Sequence, residues 1–175
     1  MVESSEQAAV VFPADATASG PRVRLSHLDT VGLEAMSSWL APALLPEWRF
    51  EDLERRVAAG RAVLVSDAAG VPIGAAVALL GVPVPGAACV PFISVEPSRR
   101  FRGLGGEAGL ALERYLRAHH GVERVYAPVP DGRGLGVYFW LRLGYRALTR
   151  TDAPWPLTGL SDTPVPGIWM VRESP

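Results

Sequence analysis

The chain has 175 residues, is 49% hydrophobic and carries a net charge of -1, which fits one domain with ample apolar material for a core. A charge so near neutral excludes a general affinity for nucleic acid. The single Cys, Cys89, excludes an internal disulfide and a paired-Cys zinc site. All 17 basic residues are Arg, so neither a Walker-type phosphate lysine nor Schiff-base chemistry is on offer. His27, His119 and His120 show no metal-ligand spacing, so no metal is expected. No run has the pattern of a signal peptide or a membrane span, which points to the cytoplasm and away from a membrane partner.

Residues 1–20 are rich in Ala, Ser and Glu without periodicity and are expected to form a mobile tail, ahead of one domain over 21–175. Val23 to Leu25 reads as a first strand. Asp29 or Thr30 can cap a helix that places Leu33, Met36, Trp39 and Leu40 on one face, ended by Pro42 and Pro46. Phe50 to Ala59 is a second short helix, stopped by Gly60. Ala62 to Ser66 and Val71 to Leu80 read as strands around a turn at 67–70, and Ala88 to Val95 as a third. Leu104 to His119 has a clear helical face in Leu104, Ala108, Ala111, Leu112, Tyr115 and Leu116. Val122 to Ala127 is the next strand and Gly136 to Leu143 the last helix. Strands at Tyr145 to Thr149 and Ile168 to Arg172 flank a Pro-rich loop over 151–167, long enough to suggest a functional role.

The most specific segment is the run Val95-Glu96-Pro97-Ser98-Arg99-Arg100-Phe101-Arg102-Gly103-Leu104-Gly105-Gly106, between a strand and the strongest helix. A Gly-rich turn opening a helix presents free backbone N–H groups and the positive end of the helix dipole, an anion site suited to phosphate. Three arginines crowd the same turn, and guanidinium holds phosphate well. Gly103-Leu-Gly105-Gly-Glu-Ala108 also matches a dinucleotide fingerprint, with Glu123 at the expected distance. That fingerprint needs the strand to run almost directly into the first Gly, and the charged stretch 96–102 intervenes. The plainest alternative is a helix start with exposed arginines and no ligand.

Arg100-x-x-Gly103-x-Gly105 after a strand ending in Val-x-Pro resembles the coenzyme A signature of the Gcn5-related N-acetyltransferases (GNAT). The element order β-α-α-β-β-β-α-β-α-β-β over residues 21–173 is similar to that family's. The resemblance implies an α/β fold with a central mixed, splayed sheet flanked by helices. It implies that Arg100, Phe101, Arg102, Gly103, Leu104, Gly105 and Gly106 cradle the pyrophosphate of acetyl-CoA, and that Ile93 and Val95 bond its pantetheine arm. The thioester would lie where the cradle strand parts from the next parallel one.

Acetyl transfer needs an amine that loses a proton, a stabilised carbonyl oxygen and a thiolate that leaves. The family's second signature, Asn-x-x-Ala-x-x-x-Tyr-x-x-x-Gly-Phe, aligns on Gly144-Tyr145 and puts Arg133 at the Asn, Gly136 at the Ala and Trp140 at the acid Tyr. Trp donates only an N–H and cannot act as that acid. Tyr138 is the nearest hydroxyl, but lies roughly 200° around the helix. Glu96 is the acid nearest the cradle and a candidate base; relatives that carry a Glu on the cradle strand have it where Cys89 stands. By resemblance Glu47, Trp48 and Phe50 line the acceptor pocket, and Trp155 in the long loop is a further candidate. The expectation is therefore an acetyl-CoA-dependent N-acetyltransferase acting on a small-molecule or peptide amine. A non-catalytic acyl-CoA-binding domain on the same fold is the alternative, and a dinucleotide-binding module a third reading.

Overall fold

The computed structural model describes residues 11–44, 48–149 and 165–174. The elements are β1 (Thr17–Ser19), β2 (Val23–His27), α1 (Thr30–Leu40), α2 (Phe50–Ala58), β3 (Ala62–Asp67), β4 (Pro72–Leu80), β5 (Ala87–Val95), α3 (Leu104–His120), β6 (Arg124–Pro130), α4 (Gly134–Arg142), β7 (Arg146–Ala147) and β8 (Gly167–Glu173). The strands form one sheet in the order β1-β2-β3-β4-β5-β6-β8-β7. Every pairing is antiparallel except β5 with β6, which is parallel.

Two apolar layers sandwich this sheet. On one face Leu104, Ala108, Leu112, Tyr115 and Leu116 of α3, with Trp140 of α4, pack on Val63, Val65, Ala88, Val90 and Val125. On the other Leu33, Met36 and Leu40 of α1, with Leu53 and Val57 of α2, pack on Ala75, Val77, Cys89, Phe92, Tyr126 and Trp169. Local chemistry sets the helix ends. Asp29 caps α1 by accepting the Gly32 N–H at 2.7 Å. Gly121, at φ 63°, ends α3 in the left-handed conformation that glycine adopts without penalty.

Residues 11–20, read from the sequence as part of a tail, pack on the fold. Val11 and Phe12 are fully buried, and the Phe12 ring lies 4.3 Å from that of Tyr115. His120 at the end of α3 bonds the Val11 carbonyl at 2.8 Å, and β1 pairs with β2. This segment has little periodicity because its two anchors are adjacent and β1 is only three residues long. The other boundaries shift slightly: α4 begins at Gly134, β7 shrinks to two residues, and β8 already starts at Gly167. Gly167 is needed there, since a Cβ would stand 2.7 Å from the Pro130 Cα of the paired strand. Glu47, Trp155 and most of the Pro-rich loop lie outside the described residues.

One buried polar group ties the far end of the fold together. Glu113 on α3 accepts the Arg117 Nε–H at 3.0 Å and the Tyr145 hydroxyl at 3.1 Å, with Arg172 of β8 at 3.5 Å. Arg117 also donates to the carbonyls of Val122, Glu123 and Arg172. Burial, reinforced by the adjacent Glu113 carboxylate, pushes the Tyr145 phenol well above its ordinary value.

Candidate active site

β5 holds the site open. It pairs with β4 along nearly its whole length but with β6 only over Ala87–Cys89 against Arg124–Tyr126. Beyond Cys89 and Tyr126 the two parallel strands part, and β6 pairs onward with β8 through seven residues. The parting coincides with a β-bulge. Val77 faces Phe92 while Leu79 faces Cys89, so β5 spends one residue more than β4 over this stretch. Pro91 sits inside the bulge, where a missing N–H costs no ladder bond. The bulge shifts the alternation of side chains, so that Cys89 and Phe92 both reach the α1/α2 face while Val90 stays on the other.

The cradle lies at the opposite end of β5. Gly103 caps α3 at φ 79° with no side chain to satisfy the helix amides. The first intrahelical bond there runs from the Glu107 N–H to the Gly103 carbonyl at 3.1 Å, so the N–H groups of Leu104, Gly105 and Gly106 precede it. A Cβ at Gly105 would fill the space between Val95 and Phe139, 3.5 Å and 3.6 Å away. Gly106 and Gly109 face Leu143, at 3.3 Å and 3.2 Å from a built Cβ. These glycines therefore also let α3 approach α4 closely, a role the spacing alone did not reveal. Ile93, half-buried, lies 3.8 Å from the same position on Gly109.

The arginines divide unequally. Arg99 pairs with Asp67 at 3.2 Å, and Asp67 also accepts the N–H groups of Ala69 and Val71. Arg100 turns its Nε–H back onto the Val95 carbonyl at 2.9 Å. Arg102 is exposed and has no ion pair among the described residues. Arg22, which sequence reasoning missed, reaches the cradle from β2's approach: its Nη2 lies 3.1 Å from where a Gly103 Cβ would stand. It is held by Glu107 of the first α3 turn, which accepts both its backbone N–H and its guanidinium. Its signal was hidden because the pair spans 85 residues. Phe101 completes the turn at φ 63°, a left-handed conformation unusual for a bulky residue, and its side chain is 96% exposed.

The α1/α2 face of the splay is apolar and aromatic. Trp48, just before α2, and Trp169 on β8 belong to one cluster with Cys89, Phe92 and Tyr126, and Phe50 packs against it. Trp169 meets Tyr126 edge-on, with ring centroids 5.9 Å apart. The indole N–H groups of Trp48 and Trp169 are buried and have no hydrogen-bond partner among the described residues; the same holds for Arg61 Nε just before β3. Burial pushes the Cys89 thiol far up, against an opposing pull from the Arg56 charge. Asp52 on α2 is buried; desolvation works to raise its carboxyl, but the Arg49 N–H and the Arg55 guanidinium outweigh it and hold it below the ordinary value.

No family model matches the chain, and no curated protein matches its sequence. Solved structures do match its shape. A GCN5-related N-acetyltransferase from Brucella melitensis superposes with a TM-score of 0.69 at 20% identity, over 92% of this chain and 80% of that one. A GNAT-family acetyltransferase from Bacillus anthracis gives 0.68 at 14% identity, over 90% and 98%. N-acetylglutamate synthase from Neisseria gonorrhoeae, solved with coenzyme A and N-acetyl-glutamate, gives 0.62 at 14% identity, over 89% of this chain and 36% of that one. The chain has the GNAT fold.

Within the GNAT fold the expected catalytic side chains are not brought together. Glu96 follows the last residue of β5, about 20 Å along the strand from Cys89 at the usual strand rise. Tyr138 on α4 is 58% exposed and carries the Arg142 guanidinium over its ring, 5.8 Å from the centroid. Trp140 is core: it packs against Phe139 and Tyr145 at 5.0 Å and 4.7 Å in the layer beneath α3. Cys89, at the splay, stays a protonated thiol at neutral pH and is no base. Among the described residues no helix is long and apolar enough to cross a membrane. Among the described residues no cluster of His, Cys, Asp and Glu could hold a metal.

Proposed function

We propose that the chain transfers an acetyl group from acetyl-CoA to a primary amine. The observation that carries this reading is the geometry of β5: one strand joins an uncapped, glycine-bounded helix start at its end to a bulged splay at its middle. A ligand with a phosphate group and a long flexible arm matches that pair of features. The residues fit it. The amides of Leu104, Gly105 and Gly106 would hold phosphate oxygens, Arg100 and Arg102 would add positive charge, and the β5 edge that β6 leaves would bond the arm through Ile93 and the Val95 N–H, the Val95 carbonyl being taken by Arg100.

Bound acetyl-CoA supplies an activated thioester carbonyl to the amine. The amine nitrogen forms the new C–N bond as the C–S bond breaks; the amine's proton passes to solvent, and the departing sulfur takes one back. With Trp140 buried and Tyr138 exposed, the sulfur is expected to be protonated by water, which the ordinary thiol pKa of ~8.5 permits. The chain contributes position, dehydration and backbone donors, with no dedicated side-chain acid among the described residues.

A second reading keeps the binding and drops the turnover, and the absence of an acid at the splay among the described residues favours it. Thiol release from acetyl-CoA with a panel of amines separates the two. A thermal shift with CoA that exceeds any shift with NAD supports the shared binding step; a larger shift with NAD overturns both. CoA binding without thiol release for any amine leaves the binding-only reading. The cytoplasm remains the proposed location, on the sequence pattern given above.

A further inference from the structure

Resting on that acyl-transfer reading, we infer that Phe101 is the platform on which the adenine ring of the donor stacks. The chain then distinguishes a nucleotide-bearing donor from the same arm carried without its nucleotide. The starting point is a residue that the fold does not explain. Phe101 stands at φ 63°, a left-handed conformation that costs any residue with a Cβ and that glycine enters freely. It is the one non-glycine residue with positive φ among those described. Its side chain is 96% exposed, more than any other large apolar side chain among the described residues. Exposure alone would mean little, since single apolar residues are common on surfaces. Leu135 and Tyr138 are exposed too, but on the ordinary helical backbone of α4. At Phe101 the backbone loses by the ring and packing gains nothing from it. Residues strained in this way gather at ligand clamps.

The place of the ring selects the part of the ligand. Phe101 lies two residues before Gly103, the glycine cap that opens the amides of Leu104, Gly105 and Gly106. The arm would run back along β5 from Val95 toward the parting of β5 and β6 after Cys89. The rest of the ligand, beyond the phosphates, would then leave on the side of the 96–102 loop. In an acyl-CoA that part is the adenosine. A purine offers two flat π faces, and an aromatic ring holds one without any hydrogen bond. Exposed arginines, Arg100 and Arg102, flank the ring in sequence. They break up the apolar surface, so the patch is too small for a protein partner's apolar face. Their charge serves the phosphates, and the ring adds a contact that salt does not screen.

The test is calorimetric titration of CoA and of 4′-phosphopantetheine, which keeps the arm and one phosphate but lacks the nucleotide. Phe101→Leu keeps the backbone cost and the apolar bulk and removes the π face. It should weaken CoA by about tenfold, the scale of one base on an aromatic ring, at low and high salt alike. Affinity for 4′-phosphopantetheine should not change. Phe101→Trp should bind CoA at least as well as the parent, and CoA but not 4′-phosphopantetheine should quench its added indole emission. That quench decides the matter where 4′-phosphopantetheine binds too weakly to titrate. Phe101→Gly should lose CoA affinity as Phe101→Leu does, yet melt within about 2 °C of the parent or higher, since glycine relieves the left-handed backbone while freeing the unfolded chain. Unchanged CoA affinity in Phe101→Leu, equal losses for both ligands, or no selective quench in Phe101→Trp overturns the assignment. So does a Tm drop of more than about 3 °C in Phe101→Gly, which would show that the ring packs within the fold. If neither ligand binds the parent protein, the acyl-transfer reading falls and this assignment with it. If both bind and Phe101→Leu treats them alike, that reading stands and only the assignment falls.

Discussion

Replacing Gly105 with Ala separates the cradle from the fold. In the free protein the added methyl meets Val95 and Phe139 at 3.5 Å and 3.6 Å, ordinary contact distances that require no movement. Gly105 is the second residue of α3 and has a normal helical backbone. Ala is a better helix former than Gly by up to ~1 kcal/mol in a helix interior, and less this near the end. The variant should therefore be as stable as the parent, or slightly more so. A gain of a few tenths of a kcal/mol would raise Tm by about 1 °C for a domain of this size. On the proposed reading the same methyl would also crowd a phosphate oxygen held at the Gly105 and Gly106 amides. CoA affinity should fall by about tenfold or more, ~1.4 kcal/mol. Calorimetric titration with CoA, paired with a thermal melt, reads both quantities. Arg102→Ala in the same assay should cost less and lose its effect at high salt, because that side chain is exposed and its interactions are screened. A folded Gly105→Ala protein with unchanged CoA affinity would refute the cradle and return the glycines to close packing of α3 on α4.

Glu113→Ala leaves Arg117 and Arg172 without their shared acid and should cost about 3 kcal/mol, the range for breaking a buried ion pair, seen as a Tm drop of roughly 6–12 °C. Cys89 should react with a thiol reagent at pH 8 only after denaturant is added; fast reaction in the native protein would contradict its burial. Because the folded thiol keeps its proton above the ordinary value of 9.0 while the unfolded chain releases it, Cys89 should lower stability as pH rises past that value. Tyr138→Phe and Trp140→Phe should each keep most of kcat if the proteins fold; a loss of about a hundredfold in Tyr138→Phe, the scale of a missing general acid, would restore Tyr138 as the proton donor.

The sequence by itself determined the local elements and the one motif whose chemistry is local. Helix α3 was legible because its apolar residues repeat at the helical period, and the glycine-bounded start of α3, the candidate cradle, because glycines, a strand end and a helix start are contiguous in residues 95–106. The order of elements from β2 onward followed from the same short-range patterns, and the mixed sheet from the family resemblance that this order supports. Whatever depends on a partner far along the chain was decided only by the tertiary structure. Val11 and Phe12 are buried because α3 offers Tyr115 and His120, more than a hundred residues away. Arg99 is taken up by Asp67 and Arg22, across the fold, by Glu107, so the unpaired charge at the candidate cradle falls to Arg102 and to Arg100, whose Nε–H alone is engaged, on the neutral Val95 carbonyl. Among the tryptophans, Trp140 was readable as core packing, whereas the unpaired N–H groups of Trp48 and Trp169 emerged only when α2 and β8 closed over one face of the sheet. The physical reason is common to all of these: backbone periodicity is set by neighbours in sequence, but the pairing of charges and donors is set by which surfaces the folded sheet brings together.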